Sequence, residues 1–199
     1  MHPGEAVVIG DTSISMNRLD DVSGSVCKVS VALGKQQAQQ GAPAKEVAGG
    51  DARRQAAQVL IDNVVAKKLA ADLDVSVPPS KYVLTEQQLG QIRKVFGSSN
   101  LEGITKVFEM SQQTSLLVAA IGAEKLGTDP QGADQQKAKA AGQKALQKAV
   151  ADADLSVDPR LGLSDKAVAT DTGTGSLSVG VSSLADASVS DYAAAQRCS

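Results

Sequence analysis

The two ends of this sequence are built differently from the long stretch between them. An apolar strand and a Gly-Asp turn (AVVIGD) occupy residues 6–11, and a short return strand follows at residues 13–15, which together predict a β-hairpin. Near the other end, residues 177–181 (LSVGV) alternate apolar and small side chains, which is the spacing of a strand with one buried face. We therefore predict one small sheet that contains both Val7 and Val179.

A cysteine lies in each end region, Cys27 on the first predicted helix and Cys198 next to the last residue. Neither is part of a C-x-x-C motif, so the sequence does not indicate a metal or redox site. The two thiols are either unrelated or joined. We favour a disulfide, because an unpaired exposed thiol is reactive. Such a bond would also indicate an oxidising, extracytoplasmic compartment.

The middle of the chain is predicted to be helical from its apolar spacing. A first helix starts at Met16 behind a Ser15 N-cap and frays past Gly34. The strongest amphipathic pattern starts at an Asp51 cap and continues to Leu73. Further helices are predicted at residues 86–97 behind a Thr85 capping box, at 101–110, 113–126 and 131–153, and an extended segment at 155–160. The fold class is therefore mainly α with a small antiparallel β-sheet formed by N- and C-terminal strands, in a single domain of 199 residues.

The composition argues against several classes of function. Twenty basic and 22 acidic residues give a formal net charge of −2, and no basic cluster forms, so we expect no nucleic-acid partner. No run approaches the roughly 20 apolar residues of a membrane-spanning helix. The single histidine is His2, so neither a Ser-His-Asp arrangement nor a histidine-based zinc site is expected. We predict a protein that is not an enzyme and that uses no metal or cofactor.

Several segments resemble the N-terminal helical module of SurA-type periplasmic chaperones. Residues 6–15 are similar to the strand, turn and helix start at the head of that module. The similarity continues through residues 53–63, 70–77, 89–97 and 113–127 in the order of the family, and residues 157–162 (VDPRLG) resemble the strand that returns to the module. The chain looks most similar to small actinobacterial SurA-like envelope lipoproteins. The resemblance implies a chaperone module of the SurA N-terminal or trigger-factor C-terminal type.

The resemblance also implies a division of the chain. Residues 6–127 would form the helical module and residues 154–199 the returning strands and a C-terminal tail. In two-part members a parvulin-type prolyl isomerase domain lies between them, but here residues 128–153 provide only a connecting helix. Isomerase activity is therefore not carried over. A signal segment is either absent or removed, and the family's lipid-bearing cysteine would precede Met1, which implies a secreted or lipid-anchored protein of the cell envelope.

Large apolar side chains are scarce, since the chain has two Phe, two Tyr and no Trp. A groove that holds unfolded polypeptides would be lined by such residues or by adaptable methionines. The candidates are Tyr82, Ile92, Phe96, Phe108, Met110 and Leu117. For each one taken alone, a place in the hydrophobic core is the alternative.

Two classes of function remain open from the sequence. The first is ATP-independent binding of unfolded, nascent or translocated secreted polypeptides, with contact to a membrane only through a lipid anchor. The second is a structural or adaptor lipoprotein that binds one specific envelope protein. A peptidyl-prolyl isomerase is a weaker third alternative, because the residues of a parvulin site have no counterparts in this chain.

Overall fold

The computed structural model describes residues 4–41, 47–129 and 134–164, together with residues 167, 189, 193 and 196–198. Within these, the strands are β1 (Glu5–Ile9), β2 (Thr12–Ser15) and β3 (Leu155–Val157), and the helices are α1 (Met16–Gln39), α2 (Gly49–Asp72), α3 (Glu86–Phe96), α4 (Leu101–Leu126) and α5 (Gln135–Asp152). Single 3-10 turns lie at Pro79–Lys81 and Pro159–Leu161. The predicted fold class, mainly α with a small antiparallel sheet, is confirmed. In this part of the chain, every helix is too short or too polar to cross a membrane.

The sheet joins the start of the chain to the segment that follows α5. Its order is β2-β1-β3, and both pairings are antiparallel. Val7 lies opposite Ile14 on one side and Val157 on the other, and the amide of Gly10 donates to the carbonyl of Asp154 at 2.9 Å. The strand that the resemblance places at residues 157–162 is therefore wrong except at Val157, and the predicted extended segment at 155–160 ends early, because residues Pro159–Leu161 form a 3-10 turn. The strand predicted at residues 177–181, and with it the pairing of Val7 with Val179, lies outside the described residues.

The helix caps predicted at Ser15 and Thr85 are confirmed, whereas the cap predicted at Asp51 is wrong, because Ala48 caps α2 and Asp51 lies in its first turn. Ser15 Oγ accepts a hydrogen bond from the amide of Arg18 at 3.2 Å. Thr85 and Gln88 form the predicted capping box at the start of α3. These bonds satisfy amide groups that have no partner within the helix, so both helices begin where the sequence predicts.

Other helix boundaries were predicted wrongly. The two helices predicted at residues 101–110 and 113–126 are one helix, α4, because no Gly or Pro interrupts the chain between Gly103 and Gly122. Helix α1 also passes through Gly34 without fraying, to Gln39. Helix α2 begins at Gly49, earlier than the predicted start at Asp51. Helix α5 runs Gln135–Asp152, and it was predicted at residues 131–153.

The early start of α2 is explained by residues from the other end of the chain. Ala48 caps the helix and forms a β-bridge with Arg197. The amide of Cys198 donates to the carbonyl of Val47 at 2.9 Å. Cys198 and Cys27 form a disulfide with a Cα–Cα distance of 5.2 Å. The cysteine pairing favoured from the sequence is thus present, and it fixes the end of the chain against α1 and the start of α2.

The hydrophobic core consists of aliphatic side chains from the sheet, α1, α2, α4 and α5. The largest fully buried ones are Ile14, Leu19, Leu60, Ile61, Ile104 and Ile121. Helices α4 and α5 approach so closely that their backbones touch. A Cβ atom at Gly142 would lie 1.8 Å from the carbonyl oxygen of Val118, and one at Gly122 would lie 1.7 Å from that of Ala138. Only glycine is compatible with these two positions.

Candidate functional site

The connection between α2 and α4 carries many apolar side chains but buries none of them completely. This segment, residues 73–100, is called the arm; it includes α3, and every residue in it is half-buried or exposed. Leu73, Val75 and Val77 at its start pack against the hydrophobic core. Its other larger apolar residues are Tyr82, Val83, Leu84, Leu89, Ile92, Val95 and Phe96. Val95 is 64% exposed and Val83 is 50% exposed. The arm therefore presents apolar side chains, above all Val83 and Val95, that the described part of the chain leaves partly exposed.

A few specific contacts hold the arm on α4. Glu109 accepts a hydrogen bond from the amide of Leu84 at 3.0 Å, and the Gln112 amide group donates to the carbonyl of Lys81 at 2.9 Å. The rings of Phe96 and Phe108 lie 6.3 Å apart, centre to centre, and are tilted by 55°. Phe108 is still 37% exposed in this arrangement.

A cavity of about 1080 Å³ lies between the arm and helices α1, α2 and α4. This cavity is called the cleft. The arm contributes Tyr82 and Asn100 to its wall, α1 contributes Val22, α2 contributes Leu60 and α4 contributes Met110. Its volume slightly exceeds the upper range of small-molecule sites, which suits a side-chain-bearing peptide segment.

Charges of both signs line the cleft. The basic lining residues are Arg18, Lys67 and Lys106, and the acidic ones are Asp20, Asp21, Glu102 and Glu109. Glu102 and Lys106 form an ion pair at 2.6 Å, which lowers the pKa of the Glu102 carboxyl. Burial, together with the charge of Arg18, lowers the pKa of Lys67. With both signs so close together, the cleft does not select strongly for a ligand of one charge.

A buried asparagine lies between α2 and α4 and lines the cleft. The sequence did not single it out. Asn63 is 2% exposed. Its amide group donates to Thr114 Oγ1 at 2.9 Å, to Gln113 Oε1 at 3.3 Å and to the carbonyl of Met110 at 3.4 Å. The sequence signal that could have identified Asn63 is a polar residue within the apolar stripe of α2. Because such a group is costly to bury unsatisfied, these bonds fix the register of the two helices.

The six residues predicted to line a groove are placed in three settings. Tyr82 and Met110 line the cleft. Phe96 and Phe108 contact each other where the arm lies on α4, and Ile92 is half-buried one helical turn before Phe96. Leu117 is 5% exposed and belongs to the core. Five of the six are therefore on the arm or beside it, and Leu117 has the core position that was its alternative.

A second cavity, of about 820 Å³, lies on another side of α2, between α2, α4 and α5. It is called the Asp62 cavity. Asp62 lies in its wall, and the Gln58 amide group donates a hydrogen bond to the Asp62 carboxylate at 2.8 Å. Burial raises the pKa of the Asp62 carboxyl above its usual value, because a charged group is destabilised away from water.

No protein-family model matches this chain, and no curated protein or solved structure does. The described residues also contain no group of three or more His, Cys, Asp or Glu side chains positioned to hold a metal ion. Among the described residues, the arm, the cleft and the Asp62 cavity are the surfaces that could hold a ligand.

Proposed function

We propose that this protein binds extended segments of unfolded or translocated polypeptides in the cell envelope, without ATP and without catalysis. The observation that carries the proposal is the arm: residues 73–100 hold many large apolar side chains and bury none of them fully. Contiguous exposed apolar surface on a folded domain is typical of interaction sites. The resemblance to SurA-type chaperones in residues 6–127 points to the same activity.

The expected affinity is modest. Covering apolar surface contributes about 25 cal/mol per Å², so roughly 400 Å² on the arm would supply about 10 kcal/mol before costs. Association and ordering oppose this by roughly 4–15 kcal/mol. The net is at most about 6 kcal/mol, so we expect reversible binding with a dissociation constant of tens of micromolar or weaker. That strength suits a protein that must release its clients without an energy source.

The chemistry of the cleft favours varied clients over a single one. Tyr82 and Met110 offer an aromatic ring and a flexible thioether, both of which adapt to different side chains. The neighbouring charges of opposite sign accommodate polar backbone and side chains of either charge. The disulfide between Cys27 and Cys198 is consistent with the oxidising compartment in which secreted polypeptides are found.

The proposal is tested by removing the aromatic pair on the arm. Phe96→Ser combined with Phe108→Ser should weaken binding of a labelled apolar peptide at least fivefold, measured by fluorescence anisotropy. It should also reduce the suppression of aggregation of several unrelated unfolded proteins in the absence of ATP. The matched control is Leu33→Ser, which removes an apolar side chain that is 51% exposed on α1 and should leave binding unchanged.

Assays on the wild-type protein separate the proposal from its two alternatives. Failure of the wild-type protein with every unfolded client, together with tight capture of one partner from envelope extract, would support the adaptor instead. We expect no acceleration of prolyl isomerisation in a Pro-containing peptide. A rate clearly above background would replace the proposal with the isomerase.

A further inference from the structure

We propose that the Asp62 cavity is a binding site for an organic cation, namely the ammonium or guanidinium group of a Lys or Arg side chain in a bound polypeptide. This inference rests on the proposed function, since it names a chemical feature of the clients. It uses a different surface from the arm, because the Asp62 cavity and the cleft lie on different sides of the contact between α2 and α4.

The walls of the cavity match a long side chain with a charged end. Its apolar part comes from all three helices: Val59 from α2, Val118 from α4, and Leu146 and Val150 from α5. Such walls suit the methylene groups of lysine or arginine, which pack on apolar surface while their charged ends stay near polar groups. The volume of about 820 Å³ lies within the range of known ligand sites.

The polar groups of the cavity are mainly hydrogen-bond acceptors or groups that can act as such. Asp62 is the acidic residue among those described in the wall, and Ser111, Ser115, Gln143 and Gln147 add hydroxyl and amide oxygens. Gln58 occupies one of the roughly four acceptor positions of the Asp62 carboxylate. The remaining positions can accept hydrogen bonds from an ammonium or guanidinium group, which are stronger than bonds between neutral groups.

The cation that Asp62 needs is not supplied by the described part of this chain. The described lining residues contributed by α4 carry no titratable group, and Ala167 adds none. Lys139, from α5, is the one basic residue among the described lining residues, but it is exposed and none of the ion pairs found there joins it to Asp62. The raised pKa of Asp62 reflects the same situation, a carboxylate moved partly out of water without a counter-ion.

The test compares two peptides and two substitutions of the full chain. One apolar peptide contains a single lysine, and the second is identical except that this lysine is acetylated and therefore uncharged. Wild-type protein should bind the lysine peptide about tenfold more tightly, measured by fluorescence anisotropy at pH 7. Asp62→Asn should remove this preference. Asp72→Asn is the matched control, because Asp72 is exposed at the end of the same helix and lies outside the described linings of both cavities.

The preference should also depend on pH in a defined direction. It requires the charged carboxylate, so it should disappear as the pH falls through the pKa of Asp62. Because that pKa is raised, the loss should begin at a higher pH than for an ordinary aspartate. Asp62→Asn should melt no lower than wild type, because it removes a charge that is costly to bury.

The possible results separate this inference from the proposed function. If wild type and Asp62→Asn bind both peptides equally well while the Phe96 and Phe108 substitutions still weaken binding, the cation site is wrong and the proposed function stands. If no peptide binds, the proposed function fails, and the free probe N-acetyl-lysine methylamide decides the inference. Amide NMR shifts at Ser115 and Gln143 that Asp62→Asn abolishes would support a site for small cations, and unchanged spectra would overturn it.

Discussion

The contact between α4 and α5 and the arm of residues 73–100 use opposite kinds of packing. At Gly122 and Gly142 the two helices are so close that a single added Cβ atom would overlap a backbone oxygen. In the arm, by contrast, the larger side chains are only partly covered, and α3 has no buried residue. The contact between α4 and α5 is thus closed by small residues, while the described part of the arm keeps large apolar side chains partly exposed.

We expect this difference to separate the stability of the protein from its proposed binding. The aliphatic core and the close helix contact supply the interactions that are lost on global unfolding. The arm has few buried contacts and is held by a small number of bonds, which is the pattern of a region that opens locally at low cost. A substitution in the body should therefore change global stability and leave the arm unaffected, and a substitution in the arm should do the reverse.

The largest effect is expected from the disulfide. Replacing both Cys27 and Cys198 with serine frees a loop that spans 171 residues of sequence. In the chain-entropy model this lowers the free energy of unfolding by up to about 5 kcal/mol, measured by denaturant titration. Hydrogen exchange in the arm should change little, because the bond ties the chain end to α1. Equal loss of protection in both regions would show that the arm is not an independent unit.

The same substitution in the two regions should have different costs. Ile61 on α2 is fully buried, so Ile61→Ala should lower the free energy of unfolding by about 3 kcal/mol. Ile92 on α3 is only half-buried, so Ile92→Ala should cost about 1 kcal/mol or less. Thermal or denaturant unfolding measures both. Similar costs would mean that the arm is packed as firmly as the body.

Two glycine-to-alanine substitutions should change stability in opposite directions. Gly142→Ala places a methyl group against the carbonyl of Val118 and should destabilise the protein by about 2 kcal/mol. Gly90→Ala in α3 adds a methyl group with nothing within 4 Å, and it should stabilise by about 0.5 kcal/mol because alanine favours helix. The expected readout is a lower and a slightly higher melting temperature. A stable Gly142→Ala protein would contradict the close helix contact.

A smaller, pH-dependent effect is expected at the junction of sheet and tail. The Arg160 guanidinium bonds Asp158 at 2.6 Å and lowers the pKa of that carboxyl, while the backbone amide of Asp158 donates to Ala6. A lowered pKa means that the stabilisation exists at neutral pH and is lost as the pH falls through the folded value. Asp158→Asn should therefore cost about 1 kcal/mol at pH 7. The difference from wild type in melting temperature should begin to shrink near the ordinary aspartate pKa of about 4, and it should vanish only below the lowered pKa of the folded protein.

The features that follow from local chemistry could be predicted from the sequence. The caps at Ser15 and Thr85 and the hairpin around Gly10 depend on neighbouring residues, and the structure contains all three. The start of α2 was missed because it depends on contacts with residues 196–198. The spacing of apolar residues also identifies the apolar face of a helix, but it does not show whether another part of the molecule covers that face. For that reason Leu117 was grouped with Phe108, although one is in the core and the other is partly exposed.

Substituting the α4 side chains that hold the arm should have the smallest effect on global stability. It should have the largest effect on the arm itself. Glu109→Ala and Gln112→Ala together remove the bonds to the amide of Leu84 and the carbonyl of Lys81. Both backbone groups are near the surface and can bond to water instead, so the melting temperature should fall by only a degree or two. Hydrogen exchange of the arm amides should nevertheless accelerate, and limited proteolysis should cut within residues 73–100 first.

The control is Glu124→Ala, an exposed substitution on the same helix away from the arm. It should change neither the exchange nor the proteolysis. Because the proposed binding uses both the apolar surface of the arm and the cleft, the freed arm should bind clients more weakly but measurably. Complete loss of binding would mean that the docked position itself forms the site.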